Sequence, residues 1–149
     1  MHLDGALALL SSVLGWFGRV YTSTYILDEA LTLTKSRVGG AEAARLMDDI
    51  LGSRKITIVR VERDERTFSD SMAKFKQHRE VEGLSFTDCT TLVLREKMKI
   101  ATLLSFDKGL KQFVPRLLGA GYCEELTDEQ RDTLSKVART LGIKLNFRP

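Results

Sequence analysis

Proline, cysteine and histidine are each present only twice in 149 residues. With so little proline, no low-complexity run and 43% apolar residues, the composition is that of a globular chain and excludes a disordered one. Cys89 and Cys123 lie far apart in no metal-type spacing, which excludes a zinc-ribbon or redox CxxC motif. Cys89 falls among the apolar positions of a helical stretch, as a buried reduced thiol does, and this points to the cytoplasm. His2 and His78 are isolated, so zinc chemistry is not expected; a Gly-x-Ser-x-Gly elbow and a glycine-rich phosphate loop are also missing. Charge of one sign is absent too: 23 basic against 20 acidic side chains leave +3, too weak a net field to imply a polyanionic partner by itself. The longest apolar stretch, Gly5 to Phe17, is 13 residues, too short to span a bilayer. It has no Lys or Arg before it and no small-x-small site after it, so it does not read as a signal peptide, and no membrane association is expected.

What is present is periodicity. Leu3, Leu7, Leu10, Leu14 and Phe17 recur at helical spacing and predict a core-packing helix. Val20 to Thr24 reads as a short strand, Tyr25 to Val38 as a helix stopped by Gly39 and Gly40, Ala41 to Leu51 as a second helix ending at Gly52, and Lys55 to Val61 as a β-branched strand. Glu62 to Arg79 predicts a helix with Phe68, Met72 and Phe75 on one side. The next helix opens at Ser85 to Asp88 and runs its apolar face through Cys89, Leu92, Val93 and Met98. Ile100 to Phe106 is a continuous apolar run, as a strand covered on both faces requires. A capping-box-like start at Thr127 predicts a C-terminal helix through Leu141, and Ile143 to Phe147 alternates like a strand. Strands alternating with helices imply an α/β fold, a three-layer α/β/α arrangement with a mainly parallel central sheet. Without a visible repeat or linker, residues 1–149 read as one domain, with a core over about 2–113 and a C-terminal extension over about 120–149.

In open α/β sheets ligands bind beyond the carboxyl ends of the strands, so acids just after a strand or early in the following helix are candidates for chemistry. Asp107 follows the 100–106 strand, Glu29 lies early in the helix after the 20–24 strand, and Asp88 lies in the first turn of its helix. Each also has a structural explanation. Asp88 can complete a capping box with Ser85, Asp107 can cap a short helix after it, and Glu29 can be a solvated helix residue. Lys74, Lys76, His78, Arg79, Arg95, Lys97 and Lys99 are candidate phosphate-backbone contacts, although a charge run of this kind is more often a solvated helix face. Lys108 and Lys111, beside Asp107, are the better placed candidates for phosphate contact.

Asp28-Glu29-Ala30 within an apolar helix, Leu84-Ser85-Phe86-Thr87-Asp88-Cys89, and Leu104-Ser105-Phe106-Asp107 occur in this order. Together they resemble the PIN domain, especially the VapC-like toxins and their stand-alone relatives, over roughly His2 to Phe113. The resemblance implies a Mg²⁺- or Mn²⁺-dependent endoribonuclease in which Glu29, Asp88 and Asp107 match three members of the family's acidic cluster, with Thr87 and Ser105 matching neighbouring hydroxyls. Hard cations take oxygen ligands, and clustered carboxylates without a cation repel one another, so this donor set is chemically coherent. The resemblance further implies an RNA substrate, homodimers and, for toxins, a small antitoxin partner. This sequence departs from the family in lacking its opening strand and first Asp; Asp4 is not assigned that role. A chain that starts late, Ile143 to Phe147 in the strand's place, or exchange of elements between two chains would each account for the departure. Beside the nuclease stands the alternative of a catalytically impaired domain serving as an RNA- or protein-binding or oligomerisation module.

Overall fold

The computed structural model describes residues 19–105, 108–114, 116–118, and 128, 129, 132, 135, 136 and 139. The order is β1 (Val20–Ser23), α1 (Thr24–Arg37), α2 (Gly40–Gly52), β2 (Ile56–Val59), a 3-10 turn (Val61–Arg63), α3 (Glu65–Gln77), α4 (Phe86–Lys97), β3 (Thr102–Leu104), a second 3-10 turn (Lys108–Gln112) and β4 (Arg116–Leu118). β1 pairs with β2, and β3 with β4, and both ladders are parallel. The expected α/β class, with strands alternating with helices, is what the chain adopts. The predicted N-terminal helix and the Ile143–Phe147 strand lie outside the described residues. Asp128, Glu129, Asp132, Ser135, Lys136 and Arg139 have the helical backbone expected after Thr127.

The chain divides into two compact units, residues 19–94 and, among the described residues, those from Arg95 onward. In the first, β1 and β2 run side by side from Val20↔Ile56 to Ser23↔Val59, and the connection between them is the helical pair α1 and α2, which pack on each other. A parallel pair requires such a long crossover, because a tight turn can only reverse the chain. Ser23 ends β1 and N-caps α1, its hydroxyl accepting from the Ile26 N–H at 3.2 Å. Lys35 and Arg37 stand in the last turn of α1, where positive charge complements the helix dipole. Asp64 caps α3 in the same way, accepting from both the Thr67 N–H at 3.1 Å and the Thr67 hydroxyl at 2.8 Å.

The core of this unit lies along α4 and the exit of β2: Val61 and Cys89 are fully buried, with Leu92, Val93 and Leu94 nearly so. α3 turns a small polar face inward, since Thr67 and Ser71 are 0% exposed while Phe68, Met72 and Phe75 are 39%, 41% and 44% exposed. The inward hydroxyls carry no unmet demand: Ser71 donates to the Thr67 carbonyl at 2.7 Å and Thr67 to Asp64. Two residues of the apolar stripe on α3, Phe68 and Phe75, rest against Phe86, while the smaller Thr67 and Ser71 are the ones buried. β2 also ends earlier than β-branching predicts, because Val61 leaves the ladder for the 3-10 turn.

In the second unit β3 and β4 pair from Thr102↔Arg116 to Leu104↔Leu118 across the second 3-10 turn, and Leu110 and Val114 are buried. Leu104 is 39% exposed, so this strand is not covered on both faces as its apolar run predicts; among the described residues the ladder has two strands, and β3 has three residues. α4 ends with Lys99 at φ 55°, the left-handed conformation that lets the Ile100 N–H return to the Arg95 carbonyl at 2.9 Å. No helix among the described residues is long and apolar enough to cross a membrane.

Gly39, between α1 and α2, has φ 139° and ψ 165°, a region open almost only to glycine, and a Cβ there would meet Glu42 Oε2 at 3.1 Å. Gly39→Ala should therefore lower unfolding stability by about 1–3 kcal/mol. Gly40→Ala, where a Cβ meets nothing within 4 Å, should be neutral or slightly stabilising, and urea denaturation of the two variants checks the contrast.

Candidate functional site

Three aromatic contacts assemble the region around the first turns of α1 and α4. The Phe86 ring, at the start of α4, meets Tyr25 of α1 at 6.2 Å between centroids, Phe68 of α3 at 5.8 Å and Phe75 of α3 at 6.0 Å. Tilted and edge-on geometries at these separations are the favourable ones for aromatic pairs. Phe86 thus joins three helices, two of which carry candidate acids. Tyr25 lies one turn before Glu29 on α1, and Phe86 two residues before Asp88 on α4.

Glu29 is exposed and makes no hydrogen bond or ion pair with another described residue, which leaves both carboxylate oxygens open to a ligand. Asp88 is half-buried and realises the capping box that its spacing from Ser85 predicts: the Ser85 N–H donates to Asp88 Oδ2 at 2.8 Å and the Asp88 N–H donates to Ser85 Oγ at 3.0 Å. Its Oδ1 has no such bond, so the cap and a ligand role are compatible. Thr87, on the same turn, is half-buried. Ser105 is half-buried at the end of β3 and engaged in its own contacts. Asp107 lies outside the described residues, as do the side chains of Lys108 and Lys111, whose backbone forms the second 3-10 turn. Among the described residues no three His, Cys, Asp or Glu side chains group closely enough to hold a metal ion.

Cys89 is buried and unpaired, as its apolar surroundings predict. Burial pushes its thiol pKa up, the Asp88 carboxylate beside it pushes further, and Lys74 opposes them in part. A protonated, enclosed thiol is a packing group and not a nucleophile. Of the candidate basic residues, Arg79, just beyond the end of α3, pairs with exposed Glu80 at 3.3 Å, whereas Arg95 on α4 keeps its Nε buried with no hydrogen-bond partner.

The residues that pattern reading missed stand at the exit of the β1–β2 ladder. The Thr24 hydroxyl accepts from the Val61 N–H at 3.3 Å and donates to Glu62 Oε2 at 2.7 Å; Arg60 stands 3.9 Å from the other carboxylate oxygen. The Glu62 carboxyl is held below its usual pKa by its own backbone N–H, then by Thr24, with smaller help from Arg60 and Arg63 against slight desolvation. The one available signal was the Ser23-Thr24 pair directly after a β-branched run, which alternation alone assigns to the strand.

The chain is similar to a VapC ribonuclease. That protein, from Archaeoglobus fulgidus, is 28% identical over 142 residues, covering 95% of this chain and 86% of its own length. No family model matches the chain. The similarity supports a VapC-like, PIN-like relationship along nearly the whole sequence, and so agrees with what the ordered motifs around Glu29, Asp88 and Asp107 suggest.

Because the folded-state pKa of Glu62 is depressed, its contribution to stability is present above the unfolded value and lost as pH falls through the folded one. Acid titration of unfolding stability should show a loss below about pH 4.3 that is smaller in Glu62→Gln than in the parent. Phe86→Ala, which removes the ring common to three contacts, should lower stability by about 2–4 kcal/mol in the same denaturation assay.

Proposed function

We propose that this protein is a metal-dependent endoribonuclease of the toxin-like or RNA-processing kind, hydrolysing RNA phosphodiesters at Glu29, Asp88 and Asp107. The observation that carries the reading is the similarity to the VapC ribonuclease over 95% of the chain. The structure lends two supports of its own. The Tyr25–Phe86 contact joins the turns that lead to Glu29 and Asp88, and these side chains retain free carboxylate oxygens.

The donor chemistry fits a hard divalent cation. Glu29, Asp88 and Asp107 would hold Mg²⁺ or Mn²⁺, which take oxygen ligands and keep several waters. When bound, such an ion neutralises phosphate charge and makes a water easier to deprotonate. The chain's own residues do the rest. The capping box holds the Asp88 carboxylate in one orientation, so that the helix start and the ligand share one side chain. Thr87 and Ser105 supply hydroxyls beside the acids, and Lys108 and Lys111 are placed in sequence to contact the phosphates that flank the scissile bond. We also assign the protein to the cytoplasm, as a homodimer, with a small antitoxin as its protein partner.

A second reading, a domain that binds RNA or protein without cutting, is favoured by one observation: Asp88 already has a structural duty as a cap. Purified protein should cleave a structured RNA with Mg²⁺ or Mn²⁺ and stop on addition of EDTA. Asp88→Asn, which retains an acceptor for the Ser85 N–H, should lower the cleavage rate by about 100-fold or more without loss of fold. Undiminished cleavage by this variant sinks the proposed site, and absence of cleavage in the parent together with RNA retention on a filter favours the second reading.

A further inference from the structure

α1 presents a mechanical question. It carries Glu29 and packs along α2, yet none of its residues is fully buried, so directional contacts have to fix its first turn. It is held at its N-terminus. Ser23 caps the first turn, Tyr25 meets Phe86, and between them the Thr24 hydroxyl bridges two groups from a distant part of the chain, the Val61 N–H at 3.3 Å and Glu62 Oε2 at 2.7 Å. Val61 is fully buried, so one end of the bridge lies in the core.

Thr24 has no local reason to be there. A β-branched residue is a modest helix former, and the capping duty already belongs to Ser23. The first turn of α1 contains no acidic residue, and the charge that favours a helix N-terminus arrives from outside on Glu62. Hydroxyl, amide and carboxylate therefore form one tether joining the exits of β1 and β2 at the root of the helix.

We propose that Thr24 is the positioning residue for Glu29, its hydroxyl fixing the first turn of α1 through Val61 and Glu62 and thereby the place to which the helix delivers the carboxylate. This rests on the ribonuclease reading above. Thr24 touches neither substrate nor ion; it acts through the helix, in the way that groups behind metal ligands hold them in register. Without the hydroxyl the cap and fold remain, but α1 gains freedom about its N-terminus and the acid samples positions in which it does not bind.

The test uses the full chain, with Mn²⁺ alone as probe. Thr24→Val keeps the shape and removes both bonds; Thr24→Ser restores the hydroxyl. Glu62→Leu removes one end of the tether at an exposed site that leaves the fold intact, and Glu62→Gln returns an acceptor. By calorimetry Thr24→Val and Glu62→Leu should weaken Mn²⁺ binding about tenfold, with Thr24→Ser and Glu62→Gln near the parent. Amide exchange at Val61 should quicken in Thr24→Val, and RNA cleavage should lose kcat more than KM. Faster exchange at Val61 with unchanged Mn²⁺ affinity overturns the positioning role and leaves the ribonuclease reading standing. A parent that binds no Mn²⁺ and cuts no RNA removes that reading and this assignment together, while the exchange data still report the tether.

Discussion

β2 leaves its ladder at Val59, and two residues later the Val61 amide is fully buried and must find an acceptor away from the sheet. It finds the Thr24 hydroxyl, at the exit of the neighbouring strand. That bond decides much of what surrounds it. It turns the chain into a 3-10 turn instead of letting β-branching carry the strand on, places Glu62 beside the start of α1, and delivers Asp64 to cap α3. An unpaired buried amide costs about 1–3 kcal/mol, enough to override the weak preference of Val61 for a strand.

From this junction the arrangement of the first unit follows. α3, started by Asp64, presents Thr67 and Ser71 inward, and their hydroxyls are satisfied within the helix or its cap, so the face can be buried at no polar cost. The aromatic residues beside them meet Phe86, which brings α4 and its capping box to the same region as α1. Packing and hydrogen bonding divide the work: Cys89, Leu92 and Val93 fix α4 by burial, while α1, which packs along α2 with no fully buried residue, is also held by directional bonds at its N-terminus. The two helices that carry the candidate acids are thus held by different physics, and the one with no fully buried residue is the more sensitive to a single hydroxyl.

Asp88 illustrates how one residue answers two descriptions. Its spacing from Ser85 called for a capping box, its place in the motif for a site, and the structure contains the box with one carboxylate oxygen still open. Helix N-termini suit both purposes because the orphan amides and the dipole favour negative charge there, whether a side chain, a ligand or both supply the rest. Glu29 is the contrasting case, exposed and uncommitted.

Periodicity and turn chemistry determined the order and kind of the elements: glycines at 39, 40 and 52, the Ser85–Asp88 spacing and the β-branched run before Arg60 act on neighbours along the chain and can be read there. The ordered motifs likewise single out Glu29, Asp88 and Asp107 as candidates. What sequence could not supply is which face each helix buries and which distant groups meet. Phe68, Met72 and Phe75 share one side of α3, as their spacing predicts, but that side stays partly exposed, and Thr67 and Ser71, whose polar needs are met locally, are the buried residues. Thr24 read as the last residue of a strand, and only the folded chain, by bringing Val61 and Glu62 across from the end of β2, made its hydroxyl a tether. A hydrogen bond between residues so far apart in sequence leaves no periodic trace, since its partners are neighbours only once the parallel ladder has formed.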